Sequence, residues 1–192
     1  LPGHGTAPSG LLSFRIEDMR AAVSLAARDL HARVPGQPLY LVGYSNGAAL
    51  AVDYALTVLD GASLPPPAGL VLISPAIGVS SLAIVGRFKT GLSSVPGFAR
   101  AAWESIGIEF DPYKYTSFSF HAAGETLRLT RDVARRIERR ADGQPLHGFP
   151  PVLAFLSTVD STVRAEAVVD ALLEHLAPGN HELVLFDVNR FS

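Results

Sequence analysis

The residues with the clearest potential for chemistry form the pentapeptide Gly43-Tyr44-Ser45-Asn46-Gly47. An apolar run at residues 39–42 precedes it, and Ala-rich, helix-favouring sequence follows. Such a strand–turn–helix junction holds a serine hydroxyl above the end of a sheet, where it can attack a carbonyl carbon. The backbone N–H of Asn46 would begin the helix, where unpaired donors and the helix dipole favour the resulting oxyanion.

The flanking glycines are predicted to be a steric requirement of this turn. The backbone passes close on both sides of so sharp a bend. We therefore expect a Cβ at Gly43 or Gly47 to collide with the neighbouring backbone, a collision that glycine avoids.

A serine nucleophile needs a histidine base that is oriented by a carboxylate. Asp160 follows the apolar run 152–156 and precedes a predicted helix, so it lies at the carboxyl end of a strand. Open parallel sheets place their sites at that edge. Asp160 alone is also typical of an ordinary helix N-cap. With the pentapeptide upstream, we predict that Asp160 is the acid.

The histidine is the difficulty, because the order Ser, acid, His places the base after the last predicted strand, residues 183–186. No histidine follows that strand. We expect structural roles for all six histidines, His4, His31, His121, His147, His175 and His181. If a residue of this chain had to serve as the base, His4 in the Gly- and Pro-rich opening loop would be the choice.

Four short apolar runs, at residues 39–42, 70–73, 152–156 and 183–186, alternate with helix-like segments such as 47–59 and 162–176. This order predicts an α/β fold with a parallel sheet covered by helices on both faces. The 192 residues are 48% hydrophobic and carry a net charge of −2, which favours one globular domain and argues against a nucleic-acid binder. With no cysteine, thiolate chemistry is excluded and the compartment stays open, with the cytoplasm as the default.

Residues 78–148 differ from the rest and are predicted to form a cap inserted between two sheet strands. Aromatic residues crowd 110–120, as an acyl pocket or as the core of the cap. A basic helix follows, with six arginines against two acidic residues over 128–140. We expect a solvated charged face with Leu129, Val133 and Ile137 turned inward, although contact with anionic lipid is an alternative.

Taken together, these motifs resemble the α/β-hydrolase superfamily, in particular its lipase-like and esterase-like members near the monoacylglycerol-lipase and lysophospholipase branch. Residues 1–6 are similar to the loop after the fourth strand of that fold, and residues 151–163 are similar to the strand that bears the acid. Residues 43–47 are similar to the sharp turn that carries the nucleophile, which is called the elbow. The resemblance implies a hydrolase core at 1–77, a cap at 78–148 and a second core segment at 149–192. It also implies a fold truncated at both ends, with the histidine and a second oxyanion donor outside the chain.

The resemblance implies a serine hydrolase that cleaves lipid-like or small acyl esters without a metal or organic cofactor. Amide or peptide hydrolysis and acyl transfer by the same residues are alternatives, as is a binding domain that has lost the chemistry. We expect little activity from the 192-residue chain alone, because it lacks the triad histidine. We also expect residues 39–42 to form an exposed apolar edge.

Overall fold

The computed structural model describes residues 7–78, 103–105, 107, 117–158 and 164–187. In chain order the elements are a 3-10 turn (Pro8–Leu12), α1 (Ile16–Arg33), β1 (Leu39–Tyr44), α2 (Asn46–Leu59), β2 (Pro67–Ile73), β3 (Trp103–Ser105), β4 (Phe118–Ser119), α3 (Phe120–Ala141), β5 (Val152–Ser157), α4 (Ala165–Ala171), a second 3-10 turn (Leu173–His175) and β6 (Glu182–Phe186). Contacts divide the chain into two compact units, Leu1–Ala22 with Ser80–Arg128 and Val23–Val79 with Leu129–Ser192.

The larger unit contains a four-stranded sheet in the order β1-β2-β5-β6, with every neighbouring pair parallel. The predicted parallel α/β sheet is therefore confirmed. One face of its central strands is fully buried, as Leu70 and Leu72 of β2 and Val152 of β5 illustrate with exposures of at most 2%, whereas Ile73 on the other face is 38% exposed. In α2, the residues from Ala48 to Leu56 are all buried.

The smaller unit is organised around the start of α3. Ser119 donates a hydrogen bond from its hydroxyl to the carbonyl of Leu11 at 2.7 Å. A Glu125 carboxylate oxygen accepts from the N–H of Ile16 at 2.7 Å and so satisfies one N–H group in the first turn of α1. β3 and β4 form a short antiparallel pair in the same unit. The predicted cap at 78–148 contributes residues to both units, and its segments 79–102, 106 and 108–116 lie outside the described residues.

The inward face predicted for the basic helix is confirmed, since Leu129, Val133 and Ile137 of α3 have no solvent exposure. On the same helix, Arg136 donates to the carboxylate of buried Asp53 at 2.8 Å and to that of Asp60 at 2.7 Å. Arg140 donates to Asp60 at 2.7 Å. These ion pairs join α3 to α2 and neutralise part of the basic face.

We expect Arg136→Ala to lower the free energy of unfolding by about 2–3 kcal/mol, because it removes charged hydrogen bonds to a buried carboxylate. Urea unfolding followed by circular dichroism measures the change. Arg135→Ala is the matched control, since Arg135 is 65% exposed and pairs with Asp132 on the surface. That control should cost less than about 1 kcal/mol. Equal losses in the two variants would contradict the structural role of Arg136.

In the described part of the chain, β1 is an edge strand of the sheet. Its outward side chains Tyr40, Val42 and Tyr44 are 60%, 69% and 68% exposed. The expected apolar edge is therefore confirmed, and such an edge is a site for pairing with further chain. Among the described helices, none is both long and apolar enough to cross a bilayer.

The predicted helix at 162–176 is the main difference from expectation. α4 ends at Ala171, and a 3-10 turn takes over from Leu173. The break occurs at Leu172, whose φ of −132° leaves the helical region while its side chain is fully buried. The helix therefore ends at residue 171 instead of the predicted 176.

Candidate active site

The chain turns sharply at Ser45, between the end of β1 and the start of α2. Its φ of 51° and ψ of −114° are outside the regions that non-glycine residues normally occupy. Strain of this kind costs about 1–3 kcal/mol and persists where the surrounding structure fixes it. The predicted bend is therefore present, and Ser45 precedes the helix rather than lying within it.

Backbone hydrogen bonds hold Ser45 in this conformation. Its N–H donates to the carbonyl of Ile73 at 2.9 Å, and its own carbonyl accepts from Ala48 at 3.1 Å and from Ala76 at 3.1 Å. The side chain is half-buried, and its hydroxyl does not cap α2. The main chain of Ser45 is thus held by hydrogen bonds to β2, α2 and the segment after β2, whereas its hydroxyl does not cap the helix.

Gly43 is required sterically, as predicted. A Cβ built at Gly43 would lie 2.5 Å from the backbone N and Cα of Ala48, in the first turn of α2. The collision predicted at Gly47 is wrong: apart from its chain neighbours and the surrounding backbone of α2, no described atom lies within 4 Å of a Cβ built there. Gly47 belongs to the first turn of α2, where a Cβ projects away from the helix axis.

Asn46 is the first residue of α2. Its N–H therefore belongs to the first turn, whose donors are not used within the helix, at the positive end of the helix dipole. This position suits an oxyanion next to Ser45, and the oxyanion role of Asn46 stays a prediction.

Asp160 lies in the segment 159–163, outside the described residues. The preceding strand β5 ends at Ser157, and Thr158 donates its N–H to the carbonyl of Phe186 at 3.0 Å. Because β5 is parallel to β2 and β2 to β1, the carboxyl end of β5 is at the same sheet edge as Ser45. The assignment of Asp160 as the acid stays a prediction.

Two histidines make structural hydrogen bonds. Nε2 of His121 lies 2.7 Å from the carbonyl of Phe14. Nδ1 of His181 accepts from the N–H of Val152, the first residue of β5, at 3.2 Å. His181 therefore stabilises the amino end of β5, which is at the opposite end of the strands from Ser45. His4 lies outside the described residues.

A second bend at the end of β2 was not predicted from the sequence. Ser74 has a φ of 42°, and its N–H donates to the carbonyl of Phe155 at 2.9 Å. Further on, a Cβ at Gly78 would lie 2.2 Å from the carbonyl oxygen of Ala167 in α4. The Ser-Pro dipeptide after a fully apolar strand was the available sequence signal, since it favours turns. No three His, Asp or Glu side chains of the described residues are grouped as metal ligands would be.

Residues 1–188 match the family Hydrolase_4, described as serine aminopeptidase, S33. The chain belongs to this family. It is a member of the α/β-hydrolase superfamily, and its sheet is the parallel sheet of that fold. Among curated proteins, none matches the chain.

Solved structures support the same fold. A protein from Agrobacterium vitis S4 is 20% identical, with a TM-score of 0.59 over 96% of this chain and 66% of that one. Est1E from Butyrivibrio proteoclasticus with bound ferulic acid is 20% identical, with a TM-score of 0.57 over 96% and 64%. E-2-(Acetamidomethylene)succinate hydrolase is 17% identical, with a TM-score of 0.56 over 97% and 70%. The chain thus spans just under two thirds of the length of the first two.

Proposed function

We propose that the intact protein is a serine hydrolase that cleaves carboxylic esters, with Ser45 as the nucleophile. The observation that carries the proposal is the strained backbone of Ser45, held between β1 and α2 with a φ of 51°. Such strain is retained at functional sites because it presents a side chain in one orientation. A residue with only a capping role would use its hydroxyl to cap α2, which Ser45 does not do.

In the proposed reaction, the Ser45 oxygen attacks the ester carbonyl and a histidine base takes its proton. The N–H of Asn46 donates to the oxyanion, a contact whose loss typically costs a hundred- to a thousandfold in turnover, as an order of magnitude. Asp160 orients the histidine and stabilises its protonated form. We place that histidine outside this chain.

The proposed substrates are small acyl or lipid-like esters. Est1E has ferulic acid bound, and this small carboxylic acid supports the proposal of a small acyl group. Membrane contact receives less support, because Arg136 and Arg140 of the basic helix are engaged by Asp53 and Asp60.

Fluorophosphonate labelling of the intact protein tests the proposal. We expect covalent attachment at Ser45, located by peptide mass spectrometry, and hydrolysis of p-nitrophenyl esters that varies with acyl length. The described surface serine Ser63 should stay unlabelled. A folded intact protein without label at Ser45 would contradict the proposal and favour a binding domain that has lost the chemistry.

Amide hydrolysis is the second candidate, because the matching family is described as serine aminopeptidase. The same nucleophile, oxyanion donor and acid serve both reactions. Aminoacyl p-nitroanilides assayed beside p-nitrophenyl esters decide between them. Faster turnover of the anilides, normalised to their uncatalysed rates, would identify a peptidase.

A further inference from the structure

A serine with a positive φ follows β2, as Ser45 follows β1. Among the described residues, positive φ values outside glycine occur at Ser45, Ser74 and Asp142. Asp142 follows α3, whereas both serines follow parallel strands at the carboxyl edge of the sheet. Glycine would adopt this conformation without steric cost, so a serine at position 74 needs an explanation.

Ser74 is bracketed by hydrogen bonds to the backbone of Ser45. The carbonyl of Ile73, just before Ser74, accepts from the N–H of Ser45 at 2.9 Å, and Ala76 donates its N–H to the carbonyl of Ser45 at 3.1 Å. The N–H of Ser74 itself donates to Phe155 of β5 at 2.9 Å. These contacts fix Ser74 beside the candidate nucleophile.

The residues that follow Ser74 are anchored in the interior. Pro75, Ala76 and Ile77 are buried, and the carbonyl of Ala76 accepts from the hydroxyl of Thr130 at 2.7 Å. Ser74 is only half-buried, and its hydroxyl makes no hydrogen bond to any residue that the structure describes. The segment therefore presents one accessible hydroxyl at the edge where Ser45 lies.

We propose that Ser74 is a specificity-determining residue whose hydroxyl binds a second oxygen of the substrate, close to the ester that Ser45 attacks. This inference rests on the proposed function and narrows its substrate class. The preferred ester carries a hydroxyl group near the scissile carbonyl, on its alcohol or its acyl side. A serine hydroxyl suits such a group because it both donates and accepts.

Two matched pairs of esters test this inference with the intact protein. Ethyl butyrate is compared with the monobutyrate of ethylene glycol, and with the ethyl ester of β-hydroxybutyric acid. We expect the wild type to prefer at least one hydroxylated ester in kcat/KM. Ser74→Gly and Ser74→Ala should each reduce that preference by roughly three- to tenfold, the value of one neutral hydrogen bond.

Comparison of the two variants separates the hydroxyl from the backbone strain. Ser74→Ala removes only the hydroxyl, whereas Ser74→Gly removes the hydroxyl and also relieves the strain. Ser74→Gly should therefore keep or raise the Tm, and its effect on fluorophosphonate labelling at Ser45 and on the rate with ethyl butyrate should be smaller than its effect on the rate with the hydroxylated esters. A general loss on all esters and on labelling would indicate a scaffold role and overturn the inference.

Two further outcomes would also overturn the inference: no wild-type preference for either hydroxylated ester, or the same preference in both variants. A wild type that neither reacts at Ser45 nor hydrolyses any ester would overturn the proposed function, and this inference with it. An active wild type matched by its variants would overturn the inference alone.

Discussion

Ser45→Ala is expected to reduce ester turnover of the intact protein by about a millionfold, the loss seen when the nucleophile of a comparable triad is removed. The remaining residues then act without a covalent intermediate. Turnover of p-nitrophenyl butyrate and fluorophosphonate labelling measure the effect, and both should fall to background. Ser63→Ala is the control, because Ser63 is exposed and its backbone carbonyl, which the substitution keeps, accepts from Arg28.

Stability separates a functional from a structural role for Ser45. Glycine accepts a φ of 51° more easily than serine, so Ser45→Gly should match or exceed the wild-type Tm while it is as inactive as Ser45→Ala. That combination would indicate strain kept for chemistry. Ester hydrolysis retained in both variants would contradict the assignment of Ser45.

The sheet could be predicted from the sequence because each strand is a short apolar run between turn residues. Strands at 39–44, 67–73, 152–157 and 182–186 are in the predicted order, and all neighbours are parallel. The bend at Ser45 was predictable for the same local reason, since two glycines flank it after a strand. Features that depend on contacts within a few residues can be predicted from the sequence pattern.

Features that depend on contacts between distant residues could not be predicted from the sequence. The positive φ of Ser74 occurs between Ile73 and Ala76, which are hydrogen-bonded to Ser45 after β1, and the N–H of Ser74 itself donates to Phe155 of β5. Arg136 binds Asp53 and Asp60, which are 83 and 76 residues away, so no charge pattern in α3 indicates its partners. In both cases the hydrogen-bond partners come from residues that are distant in the sequence, so the local sequence does not indicate them.

The two glycines of the elbow should respond in opposite ways to alanine, although the sequence pattern treats them alike. In Gly43→Ala the new methyl carbon would lie 2.5 Å from Ala48 N and Cα and from Gly47 O. These are backbone atoms of the first turn of α2, so the turn itself would have to move. We expect a loss of more than about 3 kcal/mol of stability and no labelling of Ser45.

Gly47→Ala is the matched control, with the same chemical change two residues after Ser45. Apart from its chain neighbours and the surrounding backbone of α2, no described atom lies within 4 Å of the added methyl group, and alanine favours a helix more than glycine does. We expect an unchanged or higher Tm and labelling of Ser45 at the wild-type rate. Thermal unfolding by circular dichroism and the labelling rate, measured on both variants, decide the matter. A folded, labelled Gly43→Ala would show that α2 need not pass so close to β1, and the strained geometry at Ser45 would lose its steric cause.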